Sequence, residues 1–274
     1  TAENVTVSFQ DRKRQLKAIR NVSLSLEEGE VLAIVGESGS GKSVLTKTFT
    51  GMLEQNGRVS EGTITYDGKV LTDYKTDKDW ENIRGKEIAT IFQDPMTSLN
   101  PIRTIGSQIA EVIIKHRGKT PKEAKQLAIE LMEKTGIPNA AQRYDEYPFQ
   151  YSGGMRQRIV IAIALACRPK ILICDEPTTA LDVTIQAQIL DLIKDLQKEY
   201  GFTTIFITHD LGVVASIADR VAVMYAGQII EIGKSAEIFY NPKHPYTWSL
   251  LSSLPQLSEK GEELYYVPGT PPSL

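Results

Sequence analysis

The chain has 274 residues, 41% hydrophobic and 24% charged, with a net charge of −3. That length buries a full core without cross-links, and the mildly acidic balance argues against a general nucleic-acid binder, which carries a basic excess. The longest apolar run, Ile159 to Cys167, falls far short of the ~18 residues of a membrane span, so any membrane role is borrowed from a partner. Cys167 and Cys174 sit inside apolar runs, with no CxxC pair and no histidine at ligand spacing. They read as small buried hydrophobes in a reducing compartment. No secretory signal opens the chain, and the stop at Pro271-Pro272-Ser273-Leu274 points to a natural protein that runs further.

Taken in order, Val5, Val7 and Phe9, then Val22, Leu24 and Leu26, alternate with the period of half-exposed strands. Glu27-Glu28-Gly29 is a turn, and Val31–Val35 is apolar enough for a strand buried on both faces. Thr63 to Val70 reads as a hairpin around Asp67-Gly68. Ile105 to Glu146 is helical in character. Thr120-Pro121-Lys122-Glu123 supplies an N-cap, a proline at the first helical position and a glutamate at the third. Ala124, Leu127, Ala128 and Leu131 follow at helical spacing, and Gly136 and Pro138 end the helix.

This stretch reads as a helical insertion between two halves of an α/β core. The core resumes with a helix from Arg156 to about Cys167, a buried strand Ile171–Cys174, a helix Ile185–Tyr200 stopped by Gly201, and a buried strand Thr203–Thr208. Helices alternating with continuous apolar strands predict a parallel sheet with crossovers. Val221 to Ile232 reads as a hairpin around Ala226-Gly227, and Pro245 to Leu254 as a last short helix.

Chemistry concentrates at strand ends. Gly36-Glu37-Ser38-Gly39-Ser40-Gly41-Lys42-Ser43, with Val44 next, fits G-x-x-x-x-G-K-S directly after a buried strand. Its glycines let backbone N–H groups wrap phosphates, Lys42 is suited to the β- and γ-phosphates, and Ser43 to Mg²⁺. The strand Ile171–Cys174 ends in Asp175 and Glu176. Asp175 can join the Mg²⁺ shell, and Glu176 can orient or deprotonate a water. His209 follows Thr203–Thr208, placed to sense a terminal phosphate, and Gln93 follows the apolar Ile88–Phe92, where it could touch Mg²⁺ or the water. Tyr151-Ser152-Gly153-Gly154-Met155 opens a second glycine-rich helix but lacks a lysine. One chain thus holds one complete anion site and one half-site, an arrangement that a head-to-tail dimer completes.

The ordered set resembles the nucleotide-binding domain of an ABC ATPase, and the likeness covers nearly the whole chain. Gly36–Ser43 resembles Walker A, Gln93 the Q-loop, Ser152-Gly153-Gly154 the signature motif, and Ile171–Asp175 Walker B with Glu176 its catalytic glutamate. Ala180-Leu181-Asp182 resembles the D-loop, His209 the switch histidine, and Phe9 stands where the family's aromatic stacks on adenine. Asp94 to Pro101, Gly154 to Arg158 and His244 to Leu251 resemble the ATPase subunits of oligopeptide and dipeptide importers, the D-type in particular, whose usual partner is a distinct F-type subunit. Tyr151 departs from the leucine usual there, and Phe149-Gln150 from a more polar pair. Some relatives carry a cysteine-rich tail that holds an iron–sulfur cluster; this chain stops before such a tail, and no cluster is expected.

The resemblance implies an α/β P-loop NTPase of the ABC type, with an N-terminal antiparallel β subdomain and an inserted α-helical subdomain. Residues 1–96 and 151–240 would form the core and β subdomain, 97–150 the helical subdomain, and 241–274 a truncated C-terminal extension. It implies ATP and Mg²⁺ as ligands, with Ser43, Gln93 and Asp175 near the metal. It also implies a second homologous ATPase subunit, two transmembrane permeases, an extracytoplasmic peptide-binding protein acting indirectly, no nucleic acid, and a place on the cytoplasmic face of the membrane. Another cargo (dipeptide, nickel or opine), a soluble non-transport ABC ATPase, or a module that binds ATP without cleaving it remain alternatives from the residues alone.

Overall fold

The computed structural model describes residues 1–92, 98–178 and 181–252. In chain order its elements are β1 (Ala2–Asp11), β2 (Arg14–Leu24), β3 (Val31–Val35), α1 (Lys42–Thr48), β4 (Gly57–Tyr66), β5 (Lys69–Val70), α2 (Asp77–Trp80) and β6 (Ile88–Ile91). There follow α3 (Ile105–Arg117), α4 (Pro121–Lys134), α5 (Ala140–Arg143), α6 (Gly153–Leu165), β7 (Ile171–Asp175), α7 (Val183–Tyr200) and β8 (Thr203–Thr208). The last are α8 (Leu211–Ile217), β9 (Arg220–Tyr225), β10 (Gln228–Lys234), α9 (Ser235–Tyr240) and α10 (Pro245–Ser252). The chain divides into two compact units, Thr1–Trp80 with Ile205–Leu274, and Glu81–Thr204. Among the described residues no helix is long and apolar enough to cross a membrane.

The first unit carries an antiparallel sheet in the order β2-β1-β4-β5. Val5, Val7 and Val22 are buried on it as the alternation predicts, but Thr6 and Ser8 between them are buried as well, so β1 is enclosed on both faces there rather than half-exposed. Asp67 and Gly68 turn β4 into β5 with φ of 47° and 76°, the left-handed pair that a two-residue hairpin needs. A second set of strands runs β10-β9-β3-β8. There β3 is buried along its whole length and pairs in parallel with β9, Ile34 opposite Ala222. The β9–β10 hairpin turns at Ala226-Gly227, as read from the sequence.

In the second unit β6 and β7 pair in parallel, Ala89 opposite Leu172. Helix α3 buries Ile105, Ile109 and Ile113, and α4 buries Ala124, Ala128, Leu131 and Met132, each an apolar stripe at helical spacing. The Thr120 hydroxyl accepts the Glu123 N–H at 3.2 Å and donates to the Glu123 carboxylate at 3.0 Å, so the predicted cap forms. Helix α6 is buried on several sides, with Ile159, Val160, Ile161, Ala162 and Leu165 all enclosed.

Several boundaries differ from expectation, those of two helices most informatively. Helix α6 begins at Gly153 rather than Arg156, because Ser152 caps it and two glycines can be helical once capped; it ends at Leu165 rather than near Cys167. Helix α7 begins at Val183 rather than Ile185, with Asp182 as its cap. The sequence reading also missed α8 and α9, which are too short to show a periodic stripe, and the exposed first half of β2.

Candidate active site

In the first unit, Gly36–Ser43 links β3 to α1 and is shaped by what lies behind it. A Cβ at Gly36 would lie 2.4 Å from the Met224 carbonyl oxygen, and one at Gly41 would lie 2.7 Å from the Ile19 side chain and 3.2 Å from the Ala18 carbonyl oxygen. Gly39 and Gly41 have φ of 80° and 100°, values that L side chains rarely adopt. The Gly227 N–H donates to Ser40 O at 2.9 Å, tying the loop to the β9–β10 turn. Gly227 is held in turn: its N–H serves the loop, its carbonyl accepts from Arg20 N–H at 2.9 Å, and a Cβ there would sit 2.3 Å from Ala18 O. Sequence reasoning took Ala226-Gly227 for a hairpin turn only; its second role, bracing the loop, leaves no sequence signal.

Lys42 is 6% exposed, and its ammonium donates to Gly36 O at 2.7 Å and Glu37 O at 3.0 Å. The cation is thus folded into the loop that it would serve. Ser40 Oγ is buried with no hydrogen-bond partner among the described residues, an orphan group inside the loop of the kind that an added acceptor would satisfy. Ser38 and Gly39 are exposed at the loop's tip, and Ser43 and Val44 are half-buried at the start of α1. His209 is exposed directly after β8, and Asp210 beside it caps α8 by accepting the Gly212 N–H at 2.9 Å. Phe9 is half-buried on β1, its ring over Gly57, where a Cβ would come within 2.5 Å of it.

In the second unit, Asp175 ends β7 and Glu176 follows with φ of 46°; both are half-buried. The loop after them is held by side-chain amides. Gln157, fully buried in α6, donates to Pro177 O at 2.7 Å. Gln186 in α7 donates to Thr178 O and Leu181 O, both at 2.8 Å. The Ser152 hydroxyl accepts the Met155 N–H at 3.3 Å, and the Asp182 carboxylate accepts the Ile185 N–H at 3.0 Å. Gly154 lets α6 approach α7: a Cβ there would be 2.8 Å from Ile185 Cγ2. Gly153 has no such constraint, its nearest neighbour being Leu181 Cδ2 at 3.7 Å.

Tyr151, the departure from the family's leucine, is a buried anchor. Its hydroxyl donates to Arg143 O at 2.8 Å, the Arg143 guanidinium lies 5.4 Å from its ring centre, and burial pushes the phenol up to about 12. Cys174 is fully buried and its thiol is pushed well above its usual range; Cys167 is pushed up to about 11, again mainly by burial. Neither is poised as a nucleophile. Gln93 and Ala180 lie outside the described residues. The structure therefore brings Lys42, Ser43 and the loop glycines together in one unit, and Asp175, Glu176, Asp182 and Ser152–Met155 in the other.

Residues 19–179 match the family described as ABC transporter. This chain is a member of the ABC transporter ATPase family. Residues 230–274 match a second description, Oligopeptide/dipeptide transporter, C-terminal region. The chain is 73% identical to the oligopeptide transport ATP-binding protein AmiE of Streptococcus pneumoniae, over 100% of this chain and 77% of that one. It is 56% identical to the oligopeptide transport ATP-binding protein OppD of Bacillus subtilis, over 99% and 76%. Among solved structures it resembles the ATP-binding cassette MJ0796 in a dimeric post-hydrolysis state bound to ADP and Pi, with a TM-score of 0.75, 30% identity, and coverage of 85% of this chain and 97% of that one. Its fold is accordingly the α/β fold of the ABC ATPases, and its activity is ATP hydrolysis.

Proposed function

We propose that this ABC ATPase powers the uptake of oligopeptides. The observation that carries the reading is the 73% identity, across the whole chain, to a protein named for oligopeptide transport; the match of residues 230–274 to the oligopeptide/dipeptide C-terminal region supports it. In this reading the chain works at the cytoplasmic face of the membrane beside a second, homologous ATPase subunit. Two permeases form the pathway, and an extracytoplasmic peptide-binding protein delivers the cargo.

Each residue then has a task. The N–H groups of Gly36 to Ser43 receive the phosphates of ATP, and Lys42 leaves the carbonyls of Gly36 and Glu37 for the β- and γ-phosphate oxygens. Phe9 offers its ring to adenine. Ser43 and Asp175, with Gln93, supply hydroxyl, carboxylate and amide oxygens, the hard donors that Mg²⁺ takes. When bound, Mg²⁺ neutralises phosphate charge. Glu176 orients the attacking water and accepts its proton, and His209 donates a hydrogen bond to the γ-phosphate. Ser152, Gly153, Gly154 and Met155 offer capped amides to the nucleotide of the partner subunit; Gly153, unconstrained by its own chain, leaves room for it. Asp182 shapes the loop between them.

Residues 97–150 form the subdomain that meets a permease, with Gln93 at its hinge. Phe149, 74% exposed and stacked on Tyr147 with ring centres 6.2 Å apart, suits that contact. Residues 1–96 and 151–240 make up the core and β subdomain, and 241–274 the extension. The test is reconstitution with the permeases and the second ATPase subunit in vesicles, followed by uptake of labelled peptides of graded length. Uptake that requires ATP and favours peptides longer than two residues is expected. ATP hydrolysis stimulated only by a non-peptide cargo would overturn the reading.

A further inference from the structure

The segment after β10 returns to the phosphate loop within the first unit. Glu231 on β10 grips it by the backbone: its carboxylate accepts the Lys243 N–H at 2.7 Å and the His244 N–H at 3.2 Å. His244 Nδ1 then accepts the Tyr246 N–H at 3.0 Å, closing the first turn of α10. Thr247 and Leu251 are buried, fixing the helix from below. Two acceptors and two buried anchors thus settle where Tyr246 points.

Its ring packs against Tyr225, with centres 4.7 Å apart and planes tilted by 44°. Tyr225 ends β9, directly after Met224, whose carbonyl forbids a side chain at Gly36, and directly before the turn that donates to Ser40. Among the described residues the Tyr246 hydroxyl is buried with no well-formed hydrogen bond, and the backbone amide of Glu37 lies against it, favouring its charged form. Burial first, and the Glu37 carboxylate second, push this phenol up to about 12, so it stays a neutral donor and acceptor. The Glu37 carbonyl accepts from the Lys42 ammonium, as the Gly36 carbonyl does. A buried hydroxyl short of a full hydrogen bond is costly; a small approach of the Glu37 amide completes the pair.

We propose that Tyr246 is a positioning residue for the phosphate loop: through its ring on Tyr225 and its hydroxyl at Glu37 it sets the loop that presents Lys42, making the segment His244–Ser252 the back wall of the nucleotide site. This rests on the reading of Gly36–Ser43 as the ATP cradle. It gives part of the oligopeptide/dipeptide C-terminal region a task inside the ATPase itself.

The experiment measures the Kd of the full-length protein for a fluorescent ATP analogue, together with KM and kcat for ATP in the assembled complex, for Tyr246→Phe, Tyr246→Ala and Lys42→Ala. Y246F keeps the ring and loses the hydroxyl. It is expected to raise Kd and KM by about three- to tenfold, the worth of one neutral hydrogen bond, with kcat at saturating ATP and Tm unchanged. Y246A is expected to raise both further. Wild-type Kd and KM in Y246F would overturn the proposal, as would equal losses in kcat and Tm, which mark a purely structural residue. Should Y246A fail to fold, the Y246F result decides alone. If K42A binds the analogue as tightly as wild type, the cradle reading itself fails and takes this proposal with it; if K42A loses binding while Y246F does not, only the role of Tyr246 is refuted.

Discussion

Behind Gly36–Ser43, backbone meets backbone. The Met224 and Ala18 carbonyls leave no room for a side chain at Gly36 or Gly227, and the Gly227 amide holds Ser40. Around Glu176 and Ser152 the work is done by side chains: Gln157 on Pro177, Gln186 on Thr178 and Leu181, and the caps Ser152 and Asp182. The first arrangement is stiff and intolerant, as the proposed phosphate cradle requires of amides aimed in advance. The second is held in good part by side-chain hydrogen bonds, whose donors and acceptors single substitutions can remove.

The difference can be broken from the rigid side first. Gly227→Ala places a Cβ 2.3 Å from Ala18 O at a φ of 79°. A cost of about 3 kcal/mol is expected, seen as a fall in Tm of roughly 6–10 °C, together with weakened ATP binding. An unchanged Tm would mean that the brace is soft. On the other side, Gln157→Leu leaves the Pro177 carbonyl without its donor. A loss of about 1–3 kcal/mol in stability and a kcat reduced more than KM is expected, because the loop carrying Glu176 is released while Lys42 is untouched.

Much of this was legible beforehand, for identifiable reasons. Val31–Val35 and Thr203–Thr208 were visible because a strand buried on both faces must be apolar throughout. Thr120, Gly201 and Asp67-Gly68 were visible because caps and tight turns demand particular residues. The loop Gly36–Ser43 was visible because its spacing of glycines, lysine and serine directly after a buried strand is a specific pattern. What stayed hidden were relations between distant residues. Nothing in Gln157, Gly227 or Tyr246 taken singly says which carbonyl or amide each will face 20 to about 200 residues away. Even over a short span the partner is hidden: nothing in the letter of Tyr151 says that its hydroxyl will anchor on the Arg143 carbonyl.

Two smaller effects sharpen the contrast. Glu30 in the first unit is paired with Arg220 through two hydrogen bonds, at 2.6 and 2.9 Å. Burial alone would raise its carboxyl, but the Arg220 hydrogen bond and the Glu27 backbone outweigh that and hold it below the ordinary value of 4.5. The stability it contributes is therefore complete above that ordinary value and is lost as pH falls through the lower folded one. A Tm profile from pH 7 to pH 3 checks this, and Glu30→Gln should flatten its acid limb. The smallest change belongs to the second unit. Thr120→Ala removes the α4 cap for about 1 kcal/mol, with ATP hydrolysis unaffected, since the cap is far from Glu176 in sequence.

The most direct test measures bound nucleotide and released phosphate in the assembled complex carrying Glu176→Gln. ATP should remain bound at Gly36–Ser43 while phosphate release falls by about a hundredfold or more. Phosphate release at the wild-type rate would contradict the role assigned to Glu176.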